Sequence, residues 1–393
     1  MRILFIHNQY QQAGGEDVAV AMEAGLLKVN GHEVRTIIFQ NINPTSGFDK
    51  LIKAGQAIYN PSAYRQVKKE IDDFGPDLIH VHNLFYVASP AVLFAASRLK
   101  IPVILTLHNY RLVCANALLL RDGRTCELCV NKTVPLSGIR YRCYHHSMAE
   151  SAVVTAMSSI HKIIGTWKQK ISLFILLTEF AKSKFAASSL KVSPNRLVVK
   201  PNFIPDPGVS SEVEREEFFL FVGRLSPEKG IENLLQAFAA LPRQRLVIIG
   251  EGPEGPSAKA RYLGATNITF MGKMEKEIVL SHMKRCRALV FPSTWYEGLP
   301  FVIIEAFATG TPVIASRLGA MAELINDGYN GYHFEAGNSI DLQKKIELLL
   351  QTETEKRKRL YENARTTYLD KFHPRILYQT ILSIYENVIN EKG

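Results

Sequence analysis

The sequence has no apolar run long enough to cross a bilayer as a helix. A span needs roughly 20 such residues, and the longest stretch, "ISLFILL", has seven. The opening "MRILFIHNQY" offers only four apolar residues before His7 and Asn8, so it is expected to be a first buried strand and not a secretory leader. Cysteine is scarce, with five in 393 residues, so no disulfide framework is expected and the protein is placed in the cytoplasm. There is no short-period repeat, no low-complexity tract and no RNA- or DNA-binding motif, and nucleic acid is not expected as a partner. The GxGxxG dinucleotide fingerprint is also missing, which argues against hydride transfer.

What is present belongs to a globular protein. The apolar fraction is 47% and the charged fraction 21%, and 393 residues exceed one ordinary core, so two domains are expected. The net charge of +10 is unevenly spread. Residues 1–205 hold 24 Lys and Arg against 13 Asp and Glu, whereas residues 206–393 hold 23 against 24. The basic half suits an anionic membrane surface or a phosphorylated acceptor.

Twelve short β-branched runs suit strands buried on both faces. Six lie in the first half, from "RILFIH" to "RLVVKPN", and six in the second, from "FFLFVGR" to "GYHFE". Helical patterns separate them. The fold class expected is α/β, with two doubly wound Rossmann-like domains facing a central cleft. An N-terminal domain spans 1–205, carries a Cys-rich insertion at 111–146 and is joined by a C-terminal helix over 375–393. A second domain spans 206–374, and a Pro-rich linker falls around 205–215.

Three stretches carry chemistry. In "STWYEGLPFVIIEAFATGTPVIAS", Glu297 precedes a helix opened by Pro300, while Glu305 lies inside it and needs a hydroxyl or cation as partner. In "FVGRLSPEKGIENLLQAF", a strand ends at Gly223, and Arg224 and Lys229 stand beside a helix N-terminus. Two cations there suit a diphosphate. In "NQYQQAGGEDVAVAME", Gly14 and Gly15 would let backbone N–H groups approach a phosphate.

Together these residues resemble the retaining nucleotide-sugar glycosyltransferases of the GT-B architecture, glycosyltransferase family 4. The resemblance rests on E-x7-E at Glu297–Glu305, R-x4-K at Arg224–Lys229, the glycine loop, the "TLHN" strand end and "KPNFI". It implies that Arg224 and Lys229 grip the donor diphosphate and that Glu305 accepts from ribose hydroxyls. Glu297 would contact the transferred sugar with the N–H groups around Gly298 and Leu299. Gly15 would bind the diphosphate, His108 would face the sugar, and Glu251 and Met274 would flank the base. No metal is needed for that chemistry. The implied partners are a nucleotide sugar (a UDP- or GDP-sugar) and a saccharide or lipid-linked acceptor. The rivals are another sugar-nucleotide enzyme, such as an epimerase, and a metal-containing binding protein on a degenerate transferase scaffold.

Four cysteines, Cys114, Cys126, Cys129 and Cys143, follow C-x11-C-x2-C-x13-C within the basic insertion. A structural zinc with four thiolate ligands is the favoured reading, with His145 and His146 as substitute ligands. An iron–sulfur cluster, a disulfide and four unrelated cysteines remain open. Cys286 reads as a packed apolar residue. His7, His80, His82 and Asn83 end strands and read as packed residues first, with His82 as an acceptor-side contact second. Residues 151–170 form a helix with Val153, Val154, Met157, Ile160, Ile163, Ile164 and Trp167 at helical spacing, and Lys162, Lys168 and Lys170 on its polar side. Such a helix packs on its own sheet or lies on a membrane surface.

Overall fold

The computed structural model describes residues 1–10, 14–41, 47–209 and 215–391. Its chain divides into two compact units. The first holds Met1–Leu119, Cys126–Asn202 and Leu377–Gly393, and the second holds Leu120–Thr125 and Phe203–Ile376.

The first unit begins with β1 (Arg2–Gln9), β2 (Glu33–Gln40), β3 (Leu78–Asn83) and β4 (Val103–Leu107). After the short hairpin of β5 (Leu120–Arg121) and β6 (Arg124–Thr125) come β7 (Leu173–Leu176) and β8 (Leu197–Val199). Six of these strands form a parallel sheet in the order β2-β1-β3-β4-β7-β8. β3 and β4 are buried along their whole length; β4 reads as an apolar run for that reason, while β3 buries His80, His82 and Asn83 among its apolar residues. Helix boundaries follow local chemistry. Asn60 caps Pro61–Phe74 through the N–H groups of Ser62 and Ala63, and Gly75 ends that helix in the left-handed conformation.

The second unit holds β9 (Phe218–Val222), β10 (Arg245–Ile249), β11 (Ile268–Gly272), β12 (Ala288–Phe291), β13 (Val313–Ser316) and β14 (Gly331–Phe334). They form a parallel sheet in the order β11-β10-β9-β12-β13-β14. Strand order reverses beside β1 in one sheet and between β9 and β12 in the other. Those are the points where open α/β sheets bind ligands beyond their carboxyl ends.

Two segments refine the sequence reading. The helix Pro374–Asn390 places Ile381, Tyr385 and Val388 in the core of the first unit with Ile3, Phe5, Leu78 and Ile104. The stretch read as a linker is tied down rather than loose. Tyr368 donates to the Ile204 carbonyl at 3.0 Å, Arg365 grips Asp206 at 2.6 Å, and Arg215 donates to Gly310 O at 2.7 Å. Residues 210–214 of that stretch lie outside the described residues.

Candidate active site

In the second unit the loops after β9, β10 and β12 converge. Gly230, at φ 70°, leads into the helix Ile231–Ala239, and a Cβ there would lie 1.9 Å from the Pro292 carbonyl oxygen. Glycine therefore lets the loop after β9 rest on the loop after β12. Gly250 plays the same part between β10 and β9, where a Cβ would meet Gly223 O at 1.9 Å.

This close approach sets the side chains. Lys229 Nζ donates to Glu297 Oε1 at 2.6 Å, and the same oxygen accepts from Ser293 Oγ at 2.6 Å and Trp295 Nε1 at 2.9 Å. The ammonium also sits 5.6 Å from the Phe291 ring centroid and 5.5 Å from that of Trp295. Glu297 is buried, so these three donors replace the water it has lost. Arg224 is exposed on the same loop, and Gly298 and Leu299 follow Glu297 directly.

Glu305 is buried in the helix Phe301–Ala308, and its cation is Lys276, which sequence reasoning passed over although "GKMEKEIV" contains it. Glu251 Oε1 accepts from the Lys273 N–H at 3.5 Å, so Glu251 and the segment holding Met274 adjoin. Arg224, Lys229, Glu251, Met274, Glu297 and Glu305 thus all lie in segments beyond the carboxyl ends of β9 to β12.

In the first unit, part of the glycine loop, residues 11–13, lies outside the described residues. Gly15 opens the helix Gly15–Val29, where an N–H has no intrahelical acceptor. Gly14 differs from its expected role, because its N–H is engaged by Asp17 Oδ2 at 2.7 Å in a helix cap. His7 Nε2 meets the other Asp17 oxygen at 2.8 Å. The neighbouring Glu16 accepts from Asn109 at 3.3 Å, and burial, then Asp17, raises its pKa to about 8.

His108 Nε2 and His82 Nδ1 are 3.2 Å apart, and burial drives the His108 pKa down to about 3, so its ring is neutral. Both line a cavity of about 30 Å³ with Asn83, Phe85, Asn109 and Arg111. His80 is packed, with Tyr385 and Thr106 hydroxyls each at 2.7 Å. Behind it Lys200 Nζ binds Glu23 at 2.6 Å, and both are buried. Burial works to raise the Glu23 pKa, but Lys200 and then the His80 hydrogen bond overcome it and hold it well below the usual value.

All five cysteines are free. Cys286 is packed as expected, and burial pushes its thiol up to about 12. The other four gather around Cys129, whose thiol is raised to about 11 by burial and then by Cys114, Cys143 and Cys126. The closed tetrahedron expected from the spacing is not drawn tight. Among the described residues the group with three ligand atoms within 4.8 Å of one another is Glu23, His80 and His82, where Lys200 already supplies a cation. The Cys114 thiol instead donates to Asn116 Oδ1 at 2.9 Å. His145 Nδ1 meets Glu150 at 2.8 Å.

The family model "Glycosyltransferase Family 4" matches residues 13–205, and the model "Glycosyl transferases group 1" matches residues 205–367. The chain belongs to the group 1 glycosyltransferases. An uncharacterized glycosyltransferase of Methanocaldococcus jannaschii is 29% identical over 91% of this glycosyltransferase and 87% of its own length. The N,N'-diacetylbacillosaminyl-diphospho-undecaprenol alpha-1,3-N-acetylgalactosaminyltransferase of Campylobacter jejuni is 28% identical over 45% of this chain and 46% of its own. Among solved structures, Anabaena HepE in complex with UDP matches with a TM-score of 0.69, 17% identity, and coverage of 98% of this chain and 100% of that one. Sucrose-phosphate synthase of Thermosynechococcus elongatus matches with a TM-score of 0.71, 17% identity and 99% coverage of both chains. At such identities these neighbours support the two-domain fold of the enzyme. Among the described residues no helix is long and apolar enough to cross a membrane.

Proposed function

We propose that this glycosyltransferase moves a sugar from a nucleotide-sugar donor to a saccharide or lipid-linked acceptor, with retention of configuration, in polysaccharide or glycoconjugate biosynthesis. The observation that carries the reading is the 2.6 Å bond between Lys229 and Glu297 at the point where the strand order reverses. It holds an ammonium beside exposed Arg224 and near the start of the helix Ile231–Ala239. Charge builds on the departing nucleoside diphosphate as the glycosidic bond breaks, and fixed cations stabilise it without reorganising. Arg224 and Lys229 do this work without a divalent ion. The leaving phosphate takes the acceptor proton, and no protein nucleophile takes part.

Glu297, with the N–H groups of Gly298 and Leu299, contacts the transferred sugar. Glu305 accepts from the ribose, and Glu251 and Met274 flank the base. In the first unit Gly15 offers its N–H to phosphate, and the neutral His108 ring faces the sugar. Glu16, protonated at neutral pH, takes one negative charge away from that phosphate seat. HepE was solved with UDP and with UDP-glucose, which favours a uridine donor. The diphospho-undecaprenol in the Campylobacter enzyme's name favours a lipid-linked acceptor. The same reading places the enzyme in the cytoplasm, where its five unpaired cysteines would stay reduced.

The test is a panel of UDP- and GDP-sugars, read by nucleoside diphosphate release and by NMR of the product anomer. Release with one sugar, an unchanged anomer and no loss of rate with a chelator is the expected result. An inverted anomer or an absolute need for added divalent ion overturns the mechanism.

A structural zinc on Cys114, Cys126, Cys129 and Cys143 belongs to the same reading. Its support is the donor set, reduced and gathered about Cys129, in an insertion (residues 111–146) carrying six Lys and Arg against two Asp and Glu. That excess offsets the charge of four thiolates on one Zn²⁺. With every position filled by sulfur such an ion braces the insertion and takes no part in transfer. Near-stoichiometric zinc is expected in protein purified without added metal, and Cys126→Ser should lose it and melt at a lower temperature. Zinc-free protein with four titrating thiols and an unchanged melt in Cys126→Ser refutes the site.

A further inference from the structure

Lys276 stands where a helix least favours a cation. It is the first residue of the helix Lys276–Arg285, whose other charges follow the helix dipole. Glu275 is the N-cap and Glu277 lies in the first turn, while His282, Lys284 and Arg285 lie in the last. A lysine at the N-terminal end gains nothing from its own helix, so its partner has to explain it. That partner is Glu305, whose side chain is 9% exposed against 53% for Lys276.

The two carboxylates of the E-x7-E motif are held in the same way. Lys229, Ser293 and Trp295 all donate to Oε1 of Glu297, and Lys276 donates to Oε1 of Glu305. Among the described residues no hydrogen bond reaches Oε2 of either, and neither Oε2 is sealed from solvent. With one oxygen fixed on an ammonium a carboxylate cannot turn, so the place of the other is set as well. That second oxygen is an acceptor waiting for donors, and hydroxyl groups supply them. The chain decides which hydroxyls. Lys276 follows Met274 by two residues, and the Lys273 N–H reaches Glu251 Oε1 at 3.5 Å. The segment proposed to flank the base thus runs straight into the lysine that holds Glu305. Base and ribose are covalently joined, so the residues that meet them have to adjoin, and here one segment serves both.

We propose that Lys276 is a positioning residue for the nucleotide. It fixes Glu305 so that Oε2 alone meets the ribose hydroxyls, and it thereby selects a ribonucleoside diphosphate over its deoxy forms. Lys276 stays on Oε1 when the nucleotide binds and acts through Glu305, not on the reacting atoms. This rests on the donor site proposed above and adds to it the residue that orients the ribose contact. A site built to hold a hydroxyl rejects an analogue lacking it, because the buried acceptor is then left unpaired. The penalty shrinks when the acceptor is loose enough to turn toward water.

The test is titration calorimetry of the full chain with UDP, GDP and their 2′,3′-dideoxy analogues. The wild type is expected to bind one of the two nucleotides and to prefer it over its dideoxy form by on the order of 10²-fold. Lys276→Met should weaken the ribonucleotide about tenfold and leave the dideoxy form within a factor of about two, narrowing the preference to about tenfold. In turnover the loss should fall on KM and not on kcat, since the ribose is held alike in the ground and transition states. Lys276→Arg keeps a cation there and should retain more of the preference than Lys276→Met. Melting curves run alongside. If the methionine variant does not fold, Lys276→Gln, which donates an N–H but carries no charge, gives the same comparison. An unchanged preference in the uncharged variant overturns the proposal. So does tighter binding of the ribonucleotide, which would make Lys276 a competitor for the ribose seat. A wild type that binds neither nucleotide removes the donor site itself, and the orientation of Glu305 with it.

Discussion

Lys229→Ala is expected to lower turnover by a factor on the order of 10² or more, comparable to losing one preorganised donor from an oxyanion hole. The ammonium is fixed before any donor arrives, because it donates a hydrogen bond to Glu297 Oε1 at 2.6 Å and the Phe291 and Trp295 rings lie at 5.6 and 5.5 Å. Removing it deletes a cation that need not reorganise as charge develops on the departing phosphate. Glu297 would keep Ser293 and Trp295 as donors, so the fold should survive with a loss of about 1–3 kcal/mol. Lys229→Arg keeps the charge but not the compact ammonium between the two rings, and should recover only part of the rate. Steady-state kinetics with the donor found in the panel, alongside melting curves, separates the two effects. Unchanged kcat in Lys229→Ala would remove Lys229 from the proposed chemistry.

The first unit should show an unusual dependence of stability on pH, because two carboxylates on one helix are shifted in opposite directions. Glu23 is held well below its usual value against burial by Lys200 and His80. Its contribution is therefore present above the ordinary carboxylate pKa and lost as pH falls through the depressed one. Glu16 is raised from 4.5 to about 8 by burial and then Asp17. Between those values the unfolded chain ionises while the folded one keeps the proton. Stability is then full below 4.5 and falls as pH rises toward 8, by at most about 1.4 kcal/mol per pH unit. Glu16→Gln should flatten that decline. Lys200→Met should remove about 3–5 kcal/mol by leaving Glu23 buried without its cation. The two tryptophans are divided between the units, so urea unfolding followed at Trp167 in a Trp295→Phe background reads the first unit. The same slope in Glu16→Gln as in the wild type, or the same midpoint in Lys200→Met, contradicts the assignment.

The twelve strands were legible because a parallel sheet buried on both faces demands continuous β-branched runs, and "PVILTLHN" is of that kind, while "DLIHVHN" buries His80, His82 and Asn83 among its apolar residues. Glu297, Glu305, Arg224 and Lys229 were legible because they sit at fixed offsets from strand ends and helix starts. Pairings between distant elements were not. Nothing near Glu305 in the sequence points to Lys276, and nothing near Glu23 points to Lys200, 177 residues away. The stretch after Asn202 has the prolines and charges of a free linker, and only Arg365 and Tyr368, far downstream, reveal that it is held. Helical periodicity likewise could not divide residues 151–170. Val154 and Ile163 fit one apolar stripe, and the turn at Gly165 decides that the first is buried while the second is bare.

The helix that completes the first unit has a consequence for how the protein comes off the ribosome. Ile381, Tyr385 and Val388 pack with Ile3, Phe5 and Leu78, yet they are synthesised after the whole second sheet. Domains of a nascent chain usually close in the order in which they emerge, the earliest first. Here all six strands of the second sheet can pair while the first unit still has a gap along its core. The half that is translated first is therefore the half that finishes last, and in the interval it presents apolar surface that a chaperone can hold.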